Sequence, residues 1–229
     1  MKHPSTALAS LALALTAVDQ SAAECASVSP LEGVDIEEFT RASWYVQQQQ
    51  ITSYQTEDDL FCVAATYDLN QEIQPVSVPL FNGPVIGVYN YANVGGVNGI
   101  PSGSANDTVL CAREADKSLP SKLSVAPCFL PNALAGPYWI VATGRNETTS
   151  QYDWAAISGG QPTVQYDDGC TTTTDQQNNS GLWIFSRTPL LTSSALSAAR
   201  SALVSLGYTL SQLIDVPQNG CKYTNAVLK

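Results

Sequence analysis

Short strand-type runs follow one another along most of this chain, and a single late run has helical spacing. The strand runs fall at 44–51, 61–69, 85–92, 97–104, 108–114, 122–129, 138–143, 152–158 and 182–187, with Gly and Asn clustered between most of them. Such a succession, with turn residues between and no helices interleaved, predicts an all-β antiparallel fold, either a barrel or a two-sheet sandwich. Alternation is clearest in 61–69, where Phe61, Val63, Ala65, Tyr67 and Leu69 share one face and Cys62, Ala64, Thr66 and Asp68 the other. Pro75, Pro79 and Pro84 break 72–83 into a loop or irregular edge. The run Gln47-Gln48-Gln49-Gln50 reads as an amide-lined strand, 26–38 as a polar arm rich in turns, and 159–181 as a long exposed loop. The helix is predicted over 193–206. Thr192 or Ser193 can cap it, Leu196, Ala199, Leu203 and Leu206 form its apolar stripe, and Gly207 suits its stop. A short strand at 212–216 follows.

The segment Trp183-Ile184-Phe185-Ser186-Arg187-Thr188-Pro189 sets the sharpest local demand. Alternation puts Trp183, Phe185 and Arg187 on one face, so a cation ends an aromatic row. Burying that guanidinium is costly unless it stacks on a ring and donates to carbonyls. Trp44, in Arg41-Ala42-Ser43-Trp44-Tyr45-Val46, is the ring expected to receive it.

Charge and cysteines narrow the function. Lys and Arg together number 10 against 20 Asp and Glu, so the surface repels phosphate backbones, and nucleic acid is excluded as a partner. The acidic cluster Glu57-Asp58-Asp59 reads as a solvated loop rather than a metal site. Lys2 and His3, an apolar stretch at 8–18 and the small residues Ser21-Ala22-Ala23 have the form of a secretory leader. The domain is therefore taken as 24–229, the leader as 1–23, and no stretch is long enough for a transmembrane helix. All six cysteines (Cys25, Cys62, Cys111, Cys128, Cys170 and Cys221) follow the leader, and an even count in an exported chain implies disulfides, with the pairing left open. Secretion, or another oxidising exported compartment, is the expected location. Sequons at Asn106, Asn146 and Asn178 are expected glycosylation sites. His3 is the only histidine, so Ser–His and Cys–His catalytic pairs cannot form in the domain, and neither a metal nor a cofactor is expected.

Three segments carry a resemblance to the lipocalins, nearest to the apolipoprotein D and bacterial outer-membrane branch. They are Trp44-Tyr45, then Pro137-Tyr138-Trp139-Ile140-Val141-Ala142-Thr143, and then Trp183 to Pro189. The resemblance spans about 34–221. It implies an eight-stranded up-and-down barrel with one C-terminal helix packed outside, and Trp44 and Arg187 as its structural floor. It also implies Cys25–Cys170 and Cys62–Cys221 disulfides, which leaves Cys111–Cys128 to staple a hairpin. The chain departs from the family pattern twice. Ala42-Ser43-Trp44 replaces Gly-x-Trp, and Thr143-Gly144-Arg145 replaces Thr-Asp-Tyr.

As function, the resemblance implies an exported, non-enzymatic carrier of a small hydrophobic ligand, such as a fatty acid, sterol, retinoid, carotenoid or tetrapyrrole. Val63, Ala65, Tyr67, Tyr89, Tyr91, Trp183 and Phe185 are the expected lining. Two alternatives are a lipocalin-like carotenoid-modifying enzyme of the de-epoxidase type, and a binding module holding a protein partner through its loops.

Overall fold

Backbone pairing settles the choice between barrel and sandwich. The computed structural model describes residues 24–103, 109–166 and 168–229; the expected leader at 1–23 and the sequon asparagine Asn106 lie outside them. In chain order the elements are α1 (Ile36–Thr40), β1 (Trp44–Gln50), β2 (Phe61–Asp68), β3 (Val85–Val94), β4 (Ile100–Gly103), β5 (Leu110–Glu114) and β6 (Lys122–Pro127). They continue with β7 (Gly136–Arg145), β8 (Tyr152–Ser158), β9 (Val164–Tyr166), β10 (Gly169–Thr171), β11 (Leu182–Ser186), α2 (Ser193–Ser205) and β12 (Leu213–Asp215). The strands β1, β2, β3, β5, β6, β7, β8 and β11 pair antiparallel in that order, and β11 returns to β1, closing an eight-stranded barrel. Closure leaves the main wall without a free edge. β4 adds to the end of β3 as a hairpin.

The wall has one planned gap. β2 pairs with β1 only at Trp44 and Tyr45, and β12 takes its place beside Gln48–Gln50. The Gln218 amide bridges the separating strands, donating to the carbonyls of Val46 at 2.7 Å and Val63 at 2.8 Å.

Strand alternation sorts the apolar residues into an inner and an outer set. Trp44, Val46, Val63, Ala65, Tyr67, Ile86, Val88, Ala112, Leu123, Ile140, Ile157 and Phe185 meet inside. Outside, α2 lies on β7, β8 and β11, and buries Ala199 and Leu203 against Val141, Ala156, Leu182 and Ile184. Thr192 caps α2 by accepting from the Ala195 N–H, and Gly207 takes the left-handed conformation (φ +87°) that ends it. A second outer cluster joins Cys62, Ala64 and Tyr91 to Tyr45, Cys221 and Tyr223, under the C-terminal segment.

Covalent links follow the same plan. Cys25–Cys170, Cys62–Cys221 and Cys111–Cys128 are all formed. Beside the last, fully buried Arg113 points out of the barrel and donates to the carbonyls of Cys111, Ala126, Pro127 and Leu130, so it ties down the chain leaving β6. A buried cation without a carboxylate is tolerable there because carbonyl dipoles surround it.

Two elements depart from the sequence reading. The arm at 26–38 runs into α1, capped by the Asp35 carboxylate accepting from Glu38 N–H. The supposed loop at 159–181 contains the β9–β10 hairpin, and its Thr171 and Thr172 are buried.

Candidate ligand site

The barrel has a closed end, and Arg187 organises it. Its guanidinium carbon sits 3.5 Å over the centre of the Trp44 ring. Its nitrogens donate to the carbonyls of Glu38 at 2.6 Å and Phe39 at 2.9 Å, and to those of Ala42 and Ser43. Two of these carbonyls end α1, where the helix's negative pole favours a cation. Trp44 Nε1 in turn donates to the Phe39 carbonyl at 2.9 Å. Phe39 is fully buried and packs on both Trp44 and Tyr67, with ring centroids 5.1 and 5.3 Å away, so α1 plugs the barrel. Burial and the like charge of Arg41 draw the Arg187 pKa down to about 9, which still leaves a cation at neutral pH. Burial also disfavours the Glu38 carboxylate. Its hydrogen bond from Arg41, the Tyr152 N–H and the two nearby cations outweigh burial and hold its pKa below the ordinary 4.5.

Ser43, beside the Ala42 departure, and Gly144, which is itself a departure, each have a local use. Ser43 Oγ lies 2.6 Å from Thr66 Oγ1 and accepts from the Lys229 N–H at 2.8 Å, so a hydroxyl fastens the C-terminal segment to the floor. Gly144 seats the Trp154 indole, whose Nε1 lies 2.0 Å from where a Cβ would stand.

Towards the other end the inner wall changes character. Phe39, Trp44 and Tyr67 at the floor are buried, whereas Leu110, Val125, Tyr138 and Trp183, at the far ends of β5, β6, β7 and β11, are half-buried though packed on the same inner cluster. Leu31, Ile36 and Leu69 are half-buried round the floor as well, but there α1 plugs the interior, so the opposite end is the candidate mouth. Trp183 stands there over Gly181, which has φ +101°; its ring would lie 2.0 Å from a Cβ at 181. The residue there must be glycine for the indole to lie as it does. Next to it, the Tyr138 ring is 6.2 Å from Trp183, and the Tyr67 and Tyr138 hydroxyls are 2.5 Å apart.

Of the expected lining, Val63, Ala65, Tyr67, Trp183 and Phe185 all face inward. Tyr89 and Tyr91 do not. β3 pairs Val88 with Tyr67 and Tyr91 with Ala64, so its even-numbered residues point in and both tyrosines point out. The Tyr89 ring lies across Gly87 outside, 3.3 Å from a Cβ position there, and Tyr91 packs under Tyr223, with centroids 6.2 Å apart. Apolar residues occupy both faces of β3 because the C-terminal segment covers its outside, so alternation carries no sign of which face is inner.

Sequence reasoning missed three residues of the site: Phe39, Tyr138 and Gln49. Tyr138 lies in a recognised motif without a face assigned to it. Gln49 hides in the glutamine run, where a bulge between Val46 and Gln48 shifts the alternation and turns Gln49 inward opposite Trp183. The remaining described sequon residues, Asn146 and Asn178, are both exposed.

No protein-family model matches the chain, and no curated protein does. Solved structures do. Apocrustacyanin C2 superposes with a TM-score of 0.53 at 15% identity, covering 84% of each chain. Lobster apocrustacyanin A1 gives a TM-score of 0.50 at 15% identity over 87% of this chain and 96% of that one. The major allergen Per a 4 from cockroaches gives 0.51 at 15% identity over 88% and 97%. At such identities the likeness speaks for the fold. That fold is the lipocalin one, a closed eight-stranded barrel with one helix packed outside.

Proposed function

We propose that this chain is an exported carrier of a small apolar ligand held inside the barrel. One observation carries the reading: the apolar inner wall is sealed at the floor by Arg187, Trp44 and α1, and meets solvent at the opposite mouth. Val63, Ala65, Tyr67, Trp183 and Phe185 would line the cavity, with Leu110, Val125 and Tyr138 nearer the mouth. Affinity would come from burial, about 0.8 kcal/mol for each methylene taken from water, and selectivity from shape. Fatty acids, sterols, retinoids, carotenoids and tetrapyrroles are all of the required class.

Three disulfides suit an oxidising exported compartment, and the leader and the sequons at Asn106, Asn146 and Asn178 agree with it. The pairing of Cys25 with Cys170 and Cys62 with Cys221 supports placement near the apolipoprotein D branch. A carotenoid-modifying enzyme would need an acid or base beside its substrate. The inward acid Glu114 lies at the closed end, opposite Leu123, so binding without turnover is the better-supported reading.

Titration of the purified protein with a set of apolar fluorescent lipids tests this. At least one should quench tryptophan emission saturably at one equivalent, and that quenching should be lost in Trp183→Ala. Unchanged emission throughout would contradict it.

A further inference from the structure

Two polar groups inside the barrel have incomplete hydrogen bonding, and they flank the same indole. Gln49 is fully buried, faces inward and pairs across the strands with Trp183. Its Nε2 donates to Gln55 Oε1 at 3.0 Å, and its Oε1 has no hydrogen-bond partner. A buried amide end without a partner is unfavourable, and such ends are few in folded proteins.

The second group is the Tyr67–Tyr138 pair. Its two hydroxyls own two hydrogens, and the contact between them at 2.5 Å uses one. The other hydrogen remains to be donated to an acceptor near the mouth. Burial raises both phenol pKa values, so both hydroxyls stay protonated at physiological pH.

A carboxylate offers only acceptors and cannot donate to Gln49 Oε1. A hydroxyl can both accept from the tyrosine pair and donate to the glutamine.

Resting on the carrier reading, we infer that the barrel takes a neutral apolar molecule whose polar group is a hydroxyl, held between Gln49 and the Tyr67–Tyr138 pair beside Trp183. Gln49 and Tyr138 are then the specificity-determining residues of the site.

Retinol, retinyl acetate and retinoate test this, because they share one apolar body and differ at the head. Dissociation constants are read from Trp183 quenching, with circular dichroism to verify each variant's fold. Retinol should bind about tenfold more tightly than the other two, the equivalent of losing one or two hydrogen bonds. Gln49→Leu and Tyr138→Phe should each weaken retinol roughly fivefold and leave retinyl acetate within about twofold. Equal binding of all three heads, tightest binding of retinoate, or retinol affinity unchanged in both variants would overturn the assignment while the carrier reading stands. Failure of all three to bind while another lipid of the panel binds would overturn this inference alone; failure of the whole panel would bring down the carrier reading with it.

Discussion

The guanidinium of Arg187, at the end of the last barrel strand, stacks 3.5 Å above the ring of Trp44, at the start of the first. This contact joins the two strands whose pairing closes the barrel. It also gathers the carbonyls of Glu38 and Phe39, so α1 is fixed as a plug by the same side chain. Closure and floor are one arrangement.

Arg187→Lys should therefore destabilise the fold with the charge kept. A lysine ammonium is a point donor that can neither stack flat on the indole nor reach carbonyls on several sides. The loss should be about 3 kcal/mol, seen as a fall in Tm of about 10 °C for a domain this size. An unchanged Tm would show that the stack is incidental.

The two faces of β3 make opposite predictions for similar residues. Tyr91→Phe and Tyr89→Phe alter outward side chains and should leave ligand affinity within about twofold of the parent. Trp183→Ala removes an inward aromatic at the mouth and should weaken binding by about 1–3 kcal/mol. Parallel titrations check both; a larger effect at Tyr91 than at Trp183 would reverse the assignment of faces.

What could be read beforehand followed from how one-sided each strand is. In β11 every second residue is aromatic or cationic, and only one register lets Arg187 reach Trp44, so Trp183 and Phe185 were placed correctly from sequence. In β3 Ile86 and Val88 compete with Tyr89 and Tyr91, and both faces are covered, so pattern alone could not choose. Gln49 was hidden by a backbone bulge, which shifts alternation without a compositional mark. The plug helix α1 is a single short turn among polar residues, held by tertiary contacts of Phe39 rather than by its own periodicity.

Acid should loosen the C-terminal segment first. Burial of Asp68 disfavours its charged form, but Lys229 Nζ at 2.7 Å and the N–H groups of Ile73 and Glu72 more than offset this and hold its pKa below the ordinary 3.8. The unfolded chain thus takes up that proton at higher pH than the folded one. The stabilisation is complete above the unfolded value and disappears as pH falls through the lower folded value. Urea unfolding measured from pH 6 down to pH 2 should show stability dropping below about pH 4, with a shallower drop in Asp68→Asn. Equal slopes in both proteins would remove Asp68 from the account.

The Cys62–Cys221 bond pins the same segment across the barrel wall, over a sequence separation of 159 residues. Replacing both cysteines by serine should lower stability by about 5 kcal/mol on the loop-entropy model. Denaturant midpoints check this, and a loss no greater than that from the paired Cys111→Ser and Cys128→Ser replacement, which opens a 17-residue separation, would contradict it.

Native mass spectrometry of the protein purified from its source addresses the central claim most directly. A carrier should show one discrete added mass per chain, removed by organic extraction and restored by returning the extracted compound. The Trp183→Ala protein should retain less of that added mass. A folded, ligand-free mass under every gentle condition, with no small apolar compound in the extract, would contradict the claim that this barrel is a carrier.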